Sequence, residues 1–145
     1  MDGAYDPGIH AAQCLAYVHV KNKSFISEDF NKSIWIGVGS FDNRDAGGIS
    51  IEPDLGYDGG TKTYMYCVSD TDAFGNVDLF DGQWHPCLVN IKKAVSDALE
   101  ALKAKGEMTK SKVNDFVVDE FNYGWELPGT FDVTSKMRNL SLIAF

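Results

Sequence analysis

The hydrophobic period of the chain changes once, near residue 86, and this change limits the possible folds more than any other feature. Before it, Cys14-Leu-Ala-Tyr-Val-His-Val20 and Ile34-Trp-Ile-Gly-Val38 alternate in steps of two, the pattern of strands that send successive side chains to opposite faces. Ile49 and Ile51 alternate with Ser50 and Glu52, and Thr61 to Val68 reads as a further strand. Polar turn chemistry separates them, in Asp42-Asn-Arg-Asp-Ala-Gly-Gly48 and in Tyr57-Asp-Gly-Gly60.

After Pro86, apolar residues recur at Leu88, Ile91, Val95, Ala98, Leu99 and Leu102, one stripe of a 3.6-residue helix, with Lys93, Asp97 and Glu100 on the other side. The spacing predicts a helix from Pro86 to Lys105, stopped by Gly106. Thr109 then caps a predicted second helix with apolar positions Val113, Phe116, Val117 and Phe121, although Lys110 and Lys112 in its first turn oppose the helix dipole. Leu127-Pro-Gly-Thr130 is a turn sequence, and Leu140 to Phe145 reads as a terminal strand. The expected architecture is α+β: an antiparallel sheet of about five strands in a meander, a C-terminal helical pair packed on one face, and a final strand. With 145 residues, 44% of them apolar, the chain is expected to form a single globular domain over 1–145.

A formal charge of −8 argues against nucleic-acid binding, which draws most of its affinity from a basic surface. No apolar run reaches the roughly 18–20 residues of a membrane span, and Asp2 and Asp6 stand where a signal peptide would be positive, so a cytoplasmic protein without membrane contact is expected. Cys14, Cys67 and Cys87 fall in three separate predicted elements, which argues against a disulfide scaffold. The charge is uneven. Residues 42–81 carry nine acids against Arg44 and Lys62, a net of −7, whereas 87–112 carry six lysines against three acids, a net of +3. Such polarity favours oriented association with a protein partner or with copies of itself.

Three places carry candidate chemistry. In Ser69-Asp-Thr-Asp-Ala-Phe-Gly-Asn-Val-Asp-Leu-Phe-Asp81 the carboxylates of Asp70, Asp72, Asp78 and Asp81 match four EF-hand ligand positions and Gly75 the turn position, but Phe74 removes the fifth ligand. The competing expectation is a hairpin turning at Gly75-Asn76, with at most a weak Ca²⁺ site and no other cofactor. Trp84-His-Pro-Cys87 places a thiol in the first turn of the predicted helix with His85 two residues away. That is the setting of a nucleophilic cysteine, although no nucleophile signature surrounds Cys87 and burial as a small hydrophobe explains it as well. Phe121 to Phe131 holds four aromatics among turn residues, so Tyr123 and Trp125 are candidate anchors on a loop, with Asp54 and Asp58 as steering charges on the same contact surface. Gly37-Val-Gly39 lacks the third glycine of a dinucleotide site, and close strand packing accounts for it better.

These residues fit three classes of function. The first is a non-catalytic acidic protein-interaction module, either a subunit of a larger assembly or an inhibitor of a basic partner. The second is a small-ligand or sugar-binding module with a weak calcium site in the 70–81 loop. The third is a small cysteine-dependent hydrolase or transferase using Cys87.

Overall fold

The two longest period-2 segments pair with each other and form the centre of the sheet. In the computed structural model, which describes residues 12–44, 50, 52–127 and 132–143, β1 (Gln13–Asn22) and β2 (Ser33–Asp42) run antiparallel with Val18 opposite Ile36 and Val20 opposite Ile34. β3 (Asp54–Asp58) and β4 (Thr63–Val68) form an antiparallel hairpin. The Asp58 carboxylate closes its turn by accepting hydrogen bonds from the backbone of Gly60 and Thr61 and from the Thr61 hydroxyl. A short helix α1 (Asp70–Phe74), the helix α2 (Ile91–Ala104), a 3-10 turn at Val113–Asp115 and the strand β5 (Phe116–Glu126) follow.

The spatial order of the sheet is β3-β4-β2-β1-β5. It is α+β, but it is a mixed sheet and not the antiparallel meander expected from the pattern, because β4 lies parallel to β2 with Gly37 beside Cys67. The strand that follows β2 in sequence, β3, takes the outer edge, and β4 fills the place beside β2. Ile49 and Ile51, expected to form a strand of their own, lie outside the described residues, as does the turn at Pro128–Thr130.

Among the described residues, α2 supplies the helix side of the main core cluster. α2 lays Ala94, Val95, Ala98, Leu99 and Leu102 on Val18, Val20, Ile34, Ile36 and Tyr66, with Met108 closing one end. The helix starts later than Pro86: Asn90 caps it, its side chain accepting from the Lys93 N–H at 3.0 Å, and Leu88 stays outside it, 84% exposed. A capping side chain decided the start, where Pro86 offered only a permissive φ. Gly106, at φ 80°, ends the turn after α2 as expected.

The second helix of the expected pair does not form. Val113 to Asp115 make one 3-10 turn, and Phe116 onward enters the sheet as β5 beside β1. Lys110 and Lys112 disfavour a helix start there, and Val117, Val118, Phe121 and Tyr123 are β-branched or aromatic residues that gain more from pairing with β1. Of the terminal strand expected from Leu140 to Phe145, Leu140 to Ile143 are joined to no strand among the described residues, and Ala144 and Phe145 lie outside them. No helix among the described residues is long and apolar enough to cross a membrane.

Because Leu99 is 2% exposed at the middle of the helix–sheet contact, Leu99→Ala should cost about 2–5 kcal/mol in urea denaturation. Leu88→Ala, outside the helix, should stay within about 0.5 kcal/mol of the parent. Equal effects at the two positions would contradict this placement of the helix.

Candidate functional site

The acidic segment does not form a hairpin. Ser69 caps α1 by accepting from the Asp72 N–H at 3.1 Å, and Gly75, at φ 78°, ends the helix, so the Gly75-Asn76 pair terminates a helix where a hairpin turn was expected. Asp70 and Asp72 sit in its first turn. Asp78 accepts from the Phe80 N–H, and Asp81 accepts from the Gln83 N–H and pairs with the His85 ring at 2.8 Å. Among the described residues no group of three or more His, Cys, Asp or Glu side chains is arranged to hold a metal ion, so these four aspartates are not gathered. Asp70 is buried and serves the fold, since its carboxylate accepts from the Ser50 N–H at 2.8 Å while its own N–H donates to the Ser50 carbonyl.

Cys87 lies three residues ahead of the Asn90 cap, in a run without regular secondary structure and not in a helical first turn. Although the residue reaches solvent, its partly desolvated surroundings and then the Asp70 carboxylate push its thiol up, the reverse of an activated nucleophile. His85 is turned to Asp81, and the hydrogen bond from His85 is the main cause holding the Asp81 carboxyl below its ordinary range.

The proposed contact surface of acids and aromatics is spread across the molecule. Asp54 and Asp58 are on β3 and Tyr123 and Trp125 on β5, the two outermost strands, with three strands and about 19 Å between them. Tyr123 and Trp125 belong to a strand where a loop was expected, and each has an intramolecular partner. The Tyr123 hydroxyl meets Ser135 Oγ at 2.6 Å, and the Trp125 ring lies 5.8 Å from Phe41, which stands edge-on to Phe80.

The sheet face opposite α2 carries Tyr17, His19, Trp35, Met65 and Cys67, with the His19 and Trp35 rings stacked at 4.5 Å. Gly37 permits this packing, because a Cβ there would stand 2.5 Å from Cys67 Sγ and 2.8 Å from the Tyr17 ring. Burial, followed by the Asp54 charge, pushes the Cys67 thiol up to about 11, and burial raises the Tyr17 phenol beyond its ordinary value.

The most exposed large apolar side chains among the described residues are elsewhere, in the connection from β1 to β2, a stretch without a periodic pattern. Phe25 is 87% and Ile26 97% exposed, and Phe30 packs on the Phe25 ring at 4.8 Å. The loop that holds them is bonded throughout. Asn22, fully buried, donates through Nδ2 to Ser27 Oγ and Ser111 Oγ, accepts the Ser24 N–H on Oδ1, and shares backbone bonds with Asn31 and Lys32. Asp29, also buried, accepts from Ser111 Oγ at 2.7 Å and from Lys32 Nζ at 2.8 Å. Burial by itself would raise the Asp29 carboxyl, but the bonds from Lys32 and Ser111 outweigh it and hold the group below its ordinary range. The network therefore fixes both ends of the loop on the fold and leaves the Phe25-Ile26 pair projecting. The sequence signal was present as two large apolar residues between serines in a stretch with no period.

The sequence matches no family model, and neither a curated protein nor a solved structure shows a significant likeness to it. The functional reading therefore rests on the geometry of the chain itself.

Two outcomes test this geometry. Asp29→Asn should destabilise the fold by roughly 1–3 kcal/mol at neutral pH, as expected for weakened buried bonds to a charged group. Asp29 titrates lower in the folded than in the unfolded chain, so its contribution is full above the unfolded value of about 3.9 and is lost as pH falls through the lower folded value. The gap between parent and variant in urea denaturation should accordingly narrow below about pH 4. In a thiol-reagent assay at about pH 8, just below the ordinary thiol value, Cys67 and Cys87 should both react more slowly than free cysteine, and at its ordinary rate once the chain is unfolded. Faster than free cysteine at Cys87 would restore the nucleophile.

Proposed function

We propose that the chain is a non-catalytic protein-interaction module, a subunit of a larger assembly or an inhibitor of its partner, and that it engages that partner through the Phe25-Ile26 tip. The observation that carries this reading is the rigid presentation of two almost fully exposed apolar side chains by a buried polar network. A pair held outward by a pre-organised loop buries its area against a partner at little further cost in conformational freedom, which is how a few residues come to dominate a binding energy.

The occupant that suits this tip is a protein with an apolar pocket. Lys23 and Glu28 flank the pair at similar distance in the chain, so the tip carries no net charge of its own and suits an apolar pocket with a rim of mixed charge. Asp54 and Asp58, on the far edge of the sheet, act in this reading on the approach of a basic partner by steering and take no share in anchoring. The two other readings draw less from the geometry. The aspartates of 70–81 do not converge for calcium, and the raised Cys87 thiol with His85 engaged by Asp81 does not favour covalent catalysis.

The test is comparative. The parent protein and Phe25→Ser/Ile26→Ser are immobilised and exposed to extract of the native host, with Asp54→Asn/Asp58→Asn as the control. Proteins held by the parent and the control but lost from the tip variant are the expected result, followed by at least about a tenfold faster dissociation for the tip variant against the purified partner. A tip variant that is folded and retains the same proteins at the same rates overturns the proposal.

A further inference from the structure

Cys14 is fully buried, yet it stands outside the core cluster beneath α2. Its neighbours across the sheet are Phe41 on β2 and Trp125 on β5. Its thiol, however, meets a more distant part of the chain. Cys14 Sγ lies 3.4 Å from the Tyr123 hydroxyl and 3.5 Å from Ser135 Oγ, and those two oxygens are bonded to each other at 2.6 Å. Ser135 belongs to the segment that follows β5, so a side chain near the end of the sequence closes over a thiol at the start of β1.

That segment is held by very little. Residues 132–143 have no regular secondary structure, all but the half-buried Val133 and Ser135 are exposed, and among the described residues no backbone hydrogen bond joins them to the sheet. Two side chains fasten the segment, at separate points. Ser135 is bonded to Tyr123 on β5, and three residues later the Arg138 guanidinium lies 4.0 Å over the Trp84 ring. Trp84 belongs to the run between α1 and α2, which the Leu88 N–H ties to the Ala73 carbonyl of α1. Beyond Arg138 the chain gains no further hold, since Leu140, Leu142 and Ile143 are 60%, 63% and 67% exposed. A stretch with few buried apolar contacts and no backbone ladder opens for far less free energy than the whole fold does.

We infer that residues 132–143 are a strap, pinned at Ser135 and Arg138, that opens as a unit and bares the Cys14 thiol and the Tyr123 hydroxyl while the core beneath α2 stays closed. Both pins are of kinds that release readily, because a cation–π contact at an exposed site and a hydrogen bond between hydroxyls each gain only modestly over their contacts with water. They sit three residues apart, so loss of one weakens the hold of the other. The buried thiol makes the motion observable: with no exposure of its own, Cys14 is reached by a reagent in solvent only through an open state. Cys14 starts β1 and the Phe25-Ile26 tip follows the far end of that strand, so the strap is independent of the tip.

The experiment is labelling of the folded protein with N-ethylmaleimide at neutral pH in the parent, Arg138→Gln and Ser135→Ala, with each cysteine followed separately by peptide mass spectrometry. Cys14 of the parent should label in the folded protein at a rate that changes by less than about twofold as urea is raised to just below the unfolding transition, because a local opening exposes little surface. Arg138→Gln should accelerate Cys14 roughly two- to fivefold and Ser135→Ala roughly two- to tenfold, the factors that correspond to an exposed cation–π contact and to one hydrogen bond. Cys67, on the sheet face opposite α2, should keep its parent rate in both variants. Cys14 that labels only in step with global unfolding, or whose rate Arg138→Gln leaves unmoved, overturns the inference. So does acceleration of Cys14 and Cys67 together, which reports a general loosening of the fold. Circular dichroism checks folding, and if Ser135→Ala is unfolded, Arg138→Gln decides by itself because Arg138 is exposed.

Discussion

Almost everything in this fold depends on the contact between α2 and the middle of the sheet. Ile34 and Ile36 from β2 and Val18 and Val20 from β1 form a flat apolar floor, and Ala98 and Leu102, both fully buried, are set into it by a helix of 14 residues. Small residues at 94 and 98 bring the helix axis close, and leucines at 99 and 102 fill the floor on either side. One helix has a limited footprint. It cannot cover both ends and both edges of a five-stranded sheet, and what lies beyond its reach must be held by other forces or remain exposed.

Polar bonding takes over at one such end. Asn22 and Ser111 are buried with no exposure, a state that is costly unless their hydrogen-bonding groups are matched. Here the matching partners come from three parts of the chain: the end of β1, the loop at Ser27 and Asp29, and the segment leading into β5. The arrangement ties distant pieces of sequence into one rigid corner and explains how the connection from β1 to β2 can present Phe25 and Ile26 without collapsing. At the opposite end aromatic packing has the same effect, with Phe41 between Phe80 and Trp125. Large apolar side chains that stay exposed, among them Phe25, Ile26, Leu88 and the leucines beyond Arg138, all lie outside the cluster that α2 covers.

Several elements were legible in the residues alone because their signal is local. β1, β2 and β4 follow from period-2 alternation, and α2 follows from the Ile91, Val95, Ala98, Leu99 and Leu102 stripe. Gly106 ends the turn after that helix at a positive φ that few other residues tolerate. Glycine at 37 is explained by the close approach of Cys67 and Tyr17, in line with the expectation that this fragment serves packing. Where local signals competed, the expectation failed. Val113 to Phe121 satisfies a helical spacing and a strand composition together, and only the vacant side of β1 decides between them. Gly75 serves a hairpin or a helix end, and the Ser69 cap, three residues from Asp72, turned the choice to a helix.

The sequence by itself determined the class of the fold, the helix that covers it and the charge polarity, since periodicity and composition act within a few residues and need no knowledge of neighbours. Tertiary structure alone decided that β4 runs parallel to β2, that the acids of β3 and the aromatics of β5 stand at opposite edges, and that Phe25 and Ile26 project while Trp125 packs. Strand order depends on pairing between segments far apart in the chain, and exposure on how far the helix α2 reaches. Both are properties of the assembled sheet, to which residues 82 positions apart, such as Asp29 and Ser111, contribute jointly.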